Sequence, residues 1–103
     1  MNYKVVRSHT FENQLDQILD YIKVSFSKEH SLDYLEYLEK QIDNLNEFPN
    51  LGKKVCFRLN TFEPTNAFIS KKNIVFYRIN EEEKTITLIA ITTASQNYLS
   101  LMK

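Results

Sequence analysis

Leu45-Asn46-Glu47-Phe48-Pro49-Asn50-Leu51-Gly52 is the stretch at which this sequence changes its period. Upstream, apolar residues recur at the spacing of one helical face. Downstream, they come in short β-branched runs. Pro49 stops a helix because it lacks an amide hydrogen and its ring crowds the preceding turn, and Gly52 lies just past that stop. The chain therefore divides into a helical front part and a β-rich back part.

Working back from Pro49, Leu35, Leu38, Ile42 and Leu45 follow near-heptad steps, with Phe48 closing the stripe. They mark one apolar helical face, and Ser27 is placed to cap its start. An earlier helix carries Phe11, Leu15, Ile18, Leu19, Ile22 and Phe26 at helical spacing, with Glu12, Asp16, Asp20 and Lys23 on the opposite side. Ser8 or Thr10 supplies its capping oxygen. Only Ser25-Phe26-Ser27 separates the two patterns, so the helices are expected to pack antiparallel as a hairpin. Tyr3-Lys4-Val5-Val6-Arg7 ahead of them reads as a short first strand.

Working forward, residues 55–59, 67–70, 74–79 and 85–92 are β-rich runs bounded by turn chemistry. Asn73 suits a tight turn, and the polar stretch Asn80-Glu81-Glu82-Glu83-Lys84 joins the last two strands as a hairpin. Residues 95–102, with Tyr98, Leu99 and Leu101, read as a short terminal helix. The order is β-α-α-β-β-β, which implies an α+β domain spanning 1–103: an antiparallel sheet packed against a two-helix hairpin, with a short C-terminal helix. The expected core is Phe11, Leu15, Ile18, Ile22, Leu38, Ile42, Leu45, Val75, Tyr77, Leu88 and Ile91.

Composition narrows the functional classes. With 43% hydrophobic and 25% charged residues in 103, the chain is an ordinary globular one with a single modest core. No apolar run approaches the roughly 20 residues of a membrane span, and no signal peptide opens the chain, so a cytoplasmic protein with no membrane partner is expected. The single Cys56 has no disulfide partner and reads as a buried thiol. Thirteen basic and thirteen acidic residues cancel, but unevenly. Residues 1–48 carry nine carboxylates against five basic groups, and residues 49–103 carry eight basic groups against four carboxylates. Such a division suggests separate faces for separate partners, or else scattered solubilising charge.

Most catalytic signatures are missing. One glycine cannot build a phosphate-cradling loop, and His9, His30 and Cys56 lack metal-ligand spacing, so no cofactor and no metal are expected. The two histidines read as surface or capping residues, and the run Glu81-Glu82-Glu83 as a solvated hairpin tip. The basic residues Lys53, Lys54, Arg58, Lys71, Lys72 and Arg78 lie at turns and strand ends, where they are candidates for contact with phosphates or an acidic target. Lysines that merely protect a sheet edge are the alternative reading.

The arrangement resembles a known family. The closing Leu45–Gly52 stretch is similar to the "L-x-x-F-P-x-x-G" end of the helical hairpin in ParE-type toxins. Ile74-Val75-Phe76-Tyr77-Arg78-Ile79, a charged turn, and Thr85-Ile86-Thr87-Leu88-Ile89-Ala90-Ile91 resemble the family's last hairpin. With the first helix ending Ile18-Leu19-Asp20-Tyr21-Ile22 and a second carrying Tyr34, Leu38 and Ile42, these cover nearly the whole chain in the right order. The sequence thus looks like a member of the ParE/RelE superfamily of toxins from bacterial type II toxin–antitoxin systems, closer to the ParE branch.

That resemblance implies growth inhibition, plasmid stabilisation and a cognate antitoxin partner. It also implies one of two targets: DNA gyrase for a ParE-like toxin, or ribosome-bound mRNA for a RelE-like endoribonuclease. Cleavage without metal needs groups that activate the ribose hydroxyl, stabilise the phosphorane and protonate the leaving oxygen. In this chain the candidates are Arg58, Lys71, Lys72, Arg78 and Tyr98. However, the strand position three before Tyr77, where the nuclease branch carries an arginine, is Ile74. Residues 92–97 hold none of the basic residues expected in either branch. The leading expectation is a non-enzymatic gyrase inhibitor. The alternatives are the endoribonuclease and a non-toxic relative that only binds an antitoxin.

Overall fold

The computed structural model describes residues 3–51, 53–55 and 65–93. A four-residue strand, β1 (Lys4–Arg7), leads into α1 (His9–Ser25) and then α2 (Lys28–Glu47). Ser8 is the cap of α1, its hydroxyl accepting from the Phe11 amide at 3.0 Å; Thr10, the other expected cap, lies inside the first turn. Ser27 caps α2 in the same way, accepting from the His30 amide at 3.1 Å. Each oxygen satisfies an amide that has no partner within its helix. The helices end on Phe26 and Phe48, whose amides donate to Ile22 and Asn44 at 2.8 and 2.9 Å. Both phenylalanines were expected to close apolar stripes, yet both are exposed. The reason is their place: as C-caps with non-helical backbone they no longer project from the packed helical face.

Pro49 does more than end α2. Its carbonyl accepts from the Tyr77 hydroxyl at 2.8 Å, which ties the helix-ending turn to a central strand. The sheet consists of β2 (Lys53–Val55), β3 (Thr65–Ser70), β4 (Asn73–Asn80) and β5 (Thr85–Thr93) with β1, in the order β1-β5-β4-β3-β2. Neighbours from β2 to β5 are antiparallel, as expected, but β1 pairs with β5 in parallel, so the sheet is mixed. A tight hairpin compels antiparallel pairing, whereas β1 meets a strand far away in sequence and no short loop sets its direction.

The turn between β3 and β4 also differs from expectation. Lys71, at φ 57°, supplies the left-handed residue, and Asn73 is already in β4, paired with Ser70. The hairpin between β4 and β5 ends similarly on Lys84, at φ 51°. Helices and sheet enclose the main core, in which Phe11, Leu15, Leu38, Ile42 and Leu45 meet Phe68, Val75, Tyr77, Leu88 and Ile91. Ile18 and Ile22, expected in that core, are only partly buried. Tyr34, not expected there, is buried because its hydroxyl finds partners. Alternation along the strands places Ala67, Ile74 and Phe76 on the opposite sheet face, where they form a second buried cluster. Among the described residues no helix is long and apolar enough to cross a membrane. The expected terminal helix, Cys56, and residues 56–59 of the expected second strand lie outside the described residues.

Candidate functional site

The site begins where β1 stops. Arg7 pairs with Leu88, and β5 continues five residues farther, to Thr93, with no strand on that side among the described residues. A register shift accompanies this point: Phe76 faces Ala90 while Tyr77 faces Leu88, leaving Ile89 as the extra residue of a bulge. Side chains of α1 take over the bonds that a strand would have made. The Ser8 hydroxyl donates to the Ile89 carbonyl at 2.8 Å, and the Gln14 side-chain oxygen accepts from the Ile91 amide at 2.9 Å. The first half of α1 is thereby fastened to the strand.

Beyond Gln14 the helix and the strand end enclose a groove of about 800 Å³. One wall is α1, presenting Gln17, Ile18, Tyr21 and Ile22. The connection and first turns of α2 add Phe26, His30 and Tyr34. The sheet contributes the open end of β5 from Ile91 to Thr93, and the turn before β4 places Lys71 and Lys72 at the rim. Partial exposure of Ile18 and Ile22 is explained by this opening: they pack against the core on one side and line the groove on the other.

Polar groups at the rim are held in place. The Tyr34 hydroxyl lies 3.0 Å from the Ser70 hydroxyl and 3.3 Å from the Ser70 carbonyl, and it accepts from the Asn73 side-chain amide at 3.0 Å. All three residues are buried, so this network anchors the lysine-bearing turn to α2. The Lys71 ammonium lies 4.7 Å from the centre of the Tyr37 ring, a cation–π contact. His30 Nδ1 is 2.7 Å from the Ser27 hydroxyl, and its ring is 5.8 Å from that of Phe26. No carboxylate lines the groove among the described residues. Two of the helices' acidic residues are engaged away from it, Glu39 pairing with Arg7 and Glu36 with Lys40.

The sequence-derived candidates separate. Lys71 and Lys72 share the groove rim. Lys53 and Lys54 belong to the edge strand β2, where their backbones pair with Ala67 and Asn66. Arg78 is paired with Thr87, about 17 Å along β4 from the turn at the usual rise per residue. Arg58 and Tyr98 lie outside the described residues. Sequence reasoning missed Gln14 and missed Arg7 as the partner of Glu39; it placed Tyr34 on the second helix and Asn73 at a turn without giving either a part in the site. Gln14 carries no periodic signal, since a polar helical residue reads as solvent-facing. Tyr34 falls one residue before Leu35 in the stripe and could have been read as part of it. Among the described residues no group of three His, Cys, Asp or Glu is close enough to hold a metal ion.

The profile of the family described as the ParE toxin of the type II toxin–antitoxin system parDE matches residues 5–98. Among solved structures, a chain of the chromosomal ParDE TA system from P. aeruginosa superposes with a TM-score of 0.72 at 16% identity, covering 90% of this chain and 97% of the other. A chain of the toxin–antitoxin complex RelBE2 from Mycobacterium tuberculosis gives 0.60 at 17% identity, covering 91% of this chain and 100% of the other. At such identities the likeness is one of fold. No curated protein sequence matches.

Proposed function

The chain belongs to the ParE toxin family of type II toxin–antitoxin systems, and from that membership we propose that it inhibits DNA gyrase by binding and is neutralised by a cognate antitoxin. The observation that supports binding over cutting lies on β4. At the strand position where the nuclease branch carries a basic catalytic residue, Ile74 is wholly buried against Ala67 and Phe76. A buried isoleucine can neither activate a ribose hydroxyl nor stabilise a phosphorane. The described basic groups are also divided between the groove rim and positions farther along the sheet, which suits a contact surface better than one catalytic constellation. The two solved structures compared above come from toxin–antitoxin assemblies, which supports an antitoxin partner here.

Inducible expression in a bacterium tests the reading. Growth arrest with relaxed plasmid DNA and intact mRNA, relieved by co-expression of the antitoxin from the same operon, is expected. Codon-specific cleavage of ribosome-bound mRNA would instead establish the endoribonuclease, with Arg58, Lys71, Lys72, Arg78 and Tyr98 as its candidate residues. Unaffected growth would favour a non-toxic antitoxin-binding relative.

A further inference from the structure

The end of α1 leaves large apolar side chains outside the core. Tyr21 and Val24 stand about one helical turn apart and are 66% and 86% exposed. Phe26, just past the helix, is 64% exposed, with its ring 5.8 Å from that of His30 on α2. Single exposed apolar residues are ordinary, but three gathered within six positions form a patch that a partner would cover.

The charges around this patch are ordered along the chain. Residues 16–28 carry Asp16 and Asp20 first, then Lys23 and Lys28. All four are exposed. Among the described residues the ion pairs join Arg7 to Glu39 and Lys40 to Glu36, so none of the four has a salt-bridge partner there. A nucleic acid or an acidic peptide laid along this face would meet Asp16 and Asp20 and be repelled. A face whose charge runs from negative to positive is instead complementary to its own reversed copy. Two α1 helices packed antiparallel and crossing at Tyr21 set Lys23 level with residue 19 of the second copy, beside its Asp20 and within one turn of its Asp16. Val24 then comes level with the second copy's Ile18, so apolar groups meet in the middle and opposite charges meet at the flank. A two-fold axis repeats each of these contacts. The whole chain carries no net charge, so no long-range repulsion opposes the approach of a second copy.

We propose that the end of α1 is a self-association surface, where two chains pair about a two-fold axis near Tyr21. Pairing covers Tyr21, Val24 and Phe26 and sets Lys23 of each copy against Asp16 and Asp20 of the other. The proposal goes beyond the gyrase and antitoxin reading and depends on neither. At 17 residues α1 is about 25 Å long, so the contact is small and the association weak, in the micromolar range.

Sedimentation velocity of the purified full chain, from low to high micromolar concentration, tests it. A monomer–dimer equilibrium is expected. Val24→Asp and Tyr21→Asp, both at exposed positions, should leave the chain monomeric throughout, and thermal melts matching the wild type show that both variants fold. Charge variants test the antiparallel order. Lys23→Asp makes positions 16, 20 and 23 all acidic, and Asp16→Lys with Asp20→Lys makes them all basic. Each should weaken self-association about tenfold, because every substitution enters the contact twice, and an equimolar mixture should recover the dimer as a mixed pair. A wild-type chain that stays monomeric at every concentration overturns the proposal, as does a dimer that survives Val24→Asp and Tyr21→Asp. Dimers indifferent to the charge variants, or not recovered on mixing, overturn the antiparallel pairing. A monomeric wild-type chain whose binding of antitoxin or gyrase is abolished by Val24→Asp assigns this face to that partner and overturns the proposal too.

Discussion

Tyr34 joins core and groove through one hydroxyl group. Its ring is buried with Leu38 and Ile42, while its oxygen meets Ser70 and Asn73 beneath the lysine-bearing turn. Removing that oxygen leaves the Asn73 amide buried without its acceptor, so Tyr34→Phe should cost about 1–3 kcal/mol. Urea denaturation reads the loss, and an unchanged midpoint would show that the network contributes nothing. Lys84 tests a second residue-scale claim. Its left-handed backbone at φ 51° suits Asn and is hostile to a β-branched residue. Lys84→Val should therefore destabilise by about 1–2 kcal/mol, while Lys84→Asn stays within about 0.5 kcal/mol despite losing the contact with the Tyr3 ring. Equal effects of the two substitutions would contradict the backbone argument.

At the scale of elements, the two capping serines are not equivalent. Ser27 satisfies the first turn of α2 and contacts His30, all of it exposed. Ser8 caps α1 and also carries the carbonyl of the β5 bulge. Ser27→Ala should cost about 1 kcal/mol, and Ser8→Ala about 2 kcal/mol because a second, partly buried bond is lost with it. Thermal melts of the two variants decide the order. These elements also show what a sequence can carry. Both helices, their caps, the Pro49 stop and the last hairpin were legible because each depends on neighbours within a few residues. The parallel pairing of β1 was not, because it joins residues about eighty positions apart and leaves no local trace. Lys71 was passed over as the turn residue in favour of Asn73, since propensity prefers asparagine while the register of β3 against β4 requires the left-handed residue two positions earlier.

Across the whole molecule, the uneven charge of the two halves acquires a spatial meaning. Acidic helices and a more basic sheet meet at the groove, yet only lysines and a histidine bring ionisable groups other than Tyr21 and Tyr34 to its described lining. The sequence could display the imbalance but not the groove, which arises only when the end of α1 is set against the end of β5. The same limit applied to the basic candidates. Their residue types were visible, but their separation followed from strand register. Under the proposed function, this ParE-family chain acts by binding gyrase, with an antitoxin as its counterweight. A plasmid supercoiling assay with purified gyrase, titrated with the purified chain, tests this most directly. Inhibition of supercoiling at micromolar or lower protein, reversed by equimolar antitoxin, is the predicted result. Unimpaired supercoiling at that concentration would contradict it.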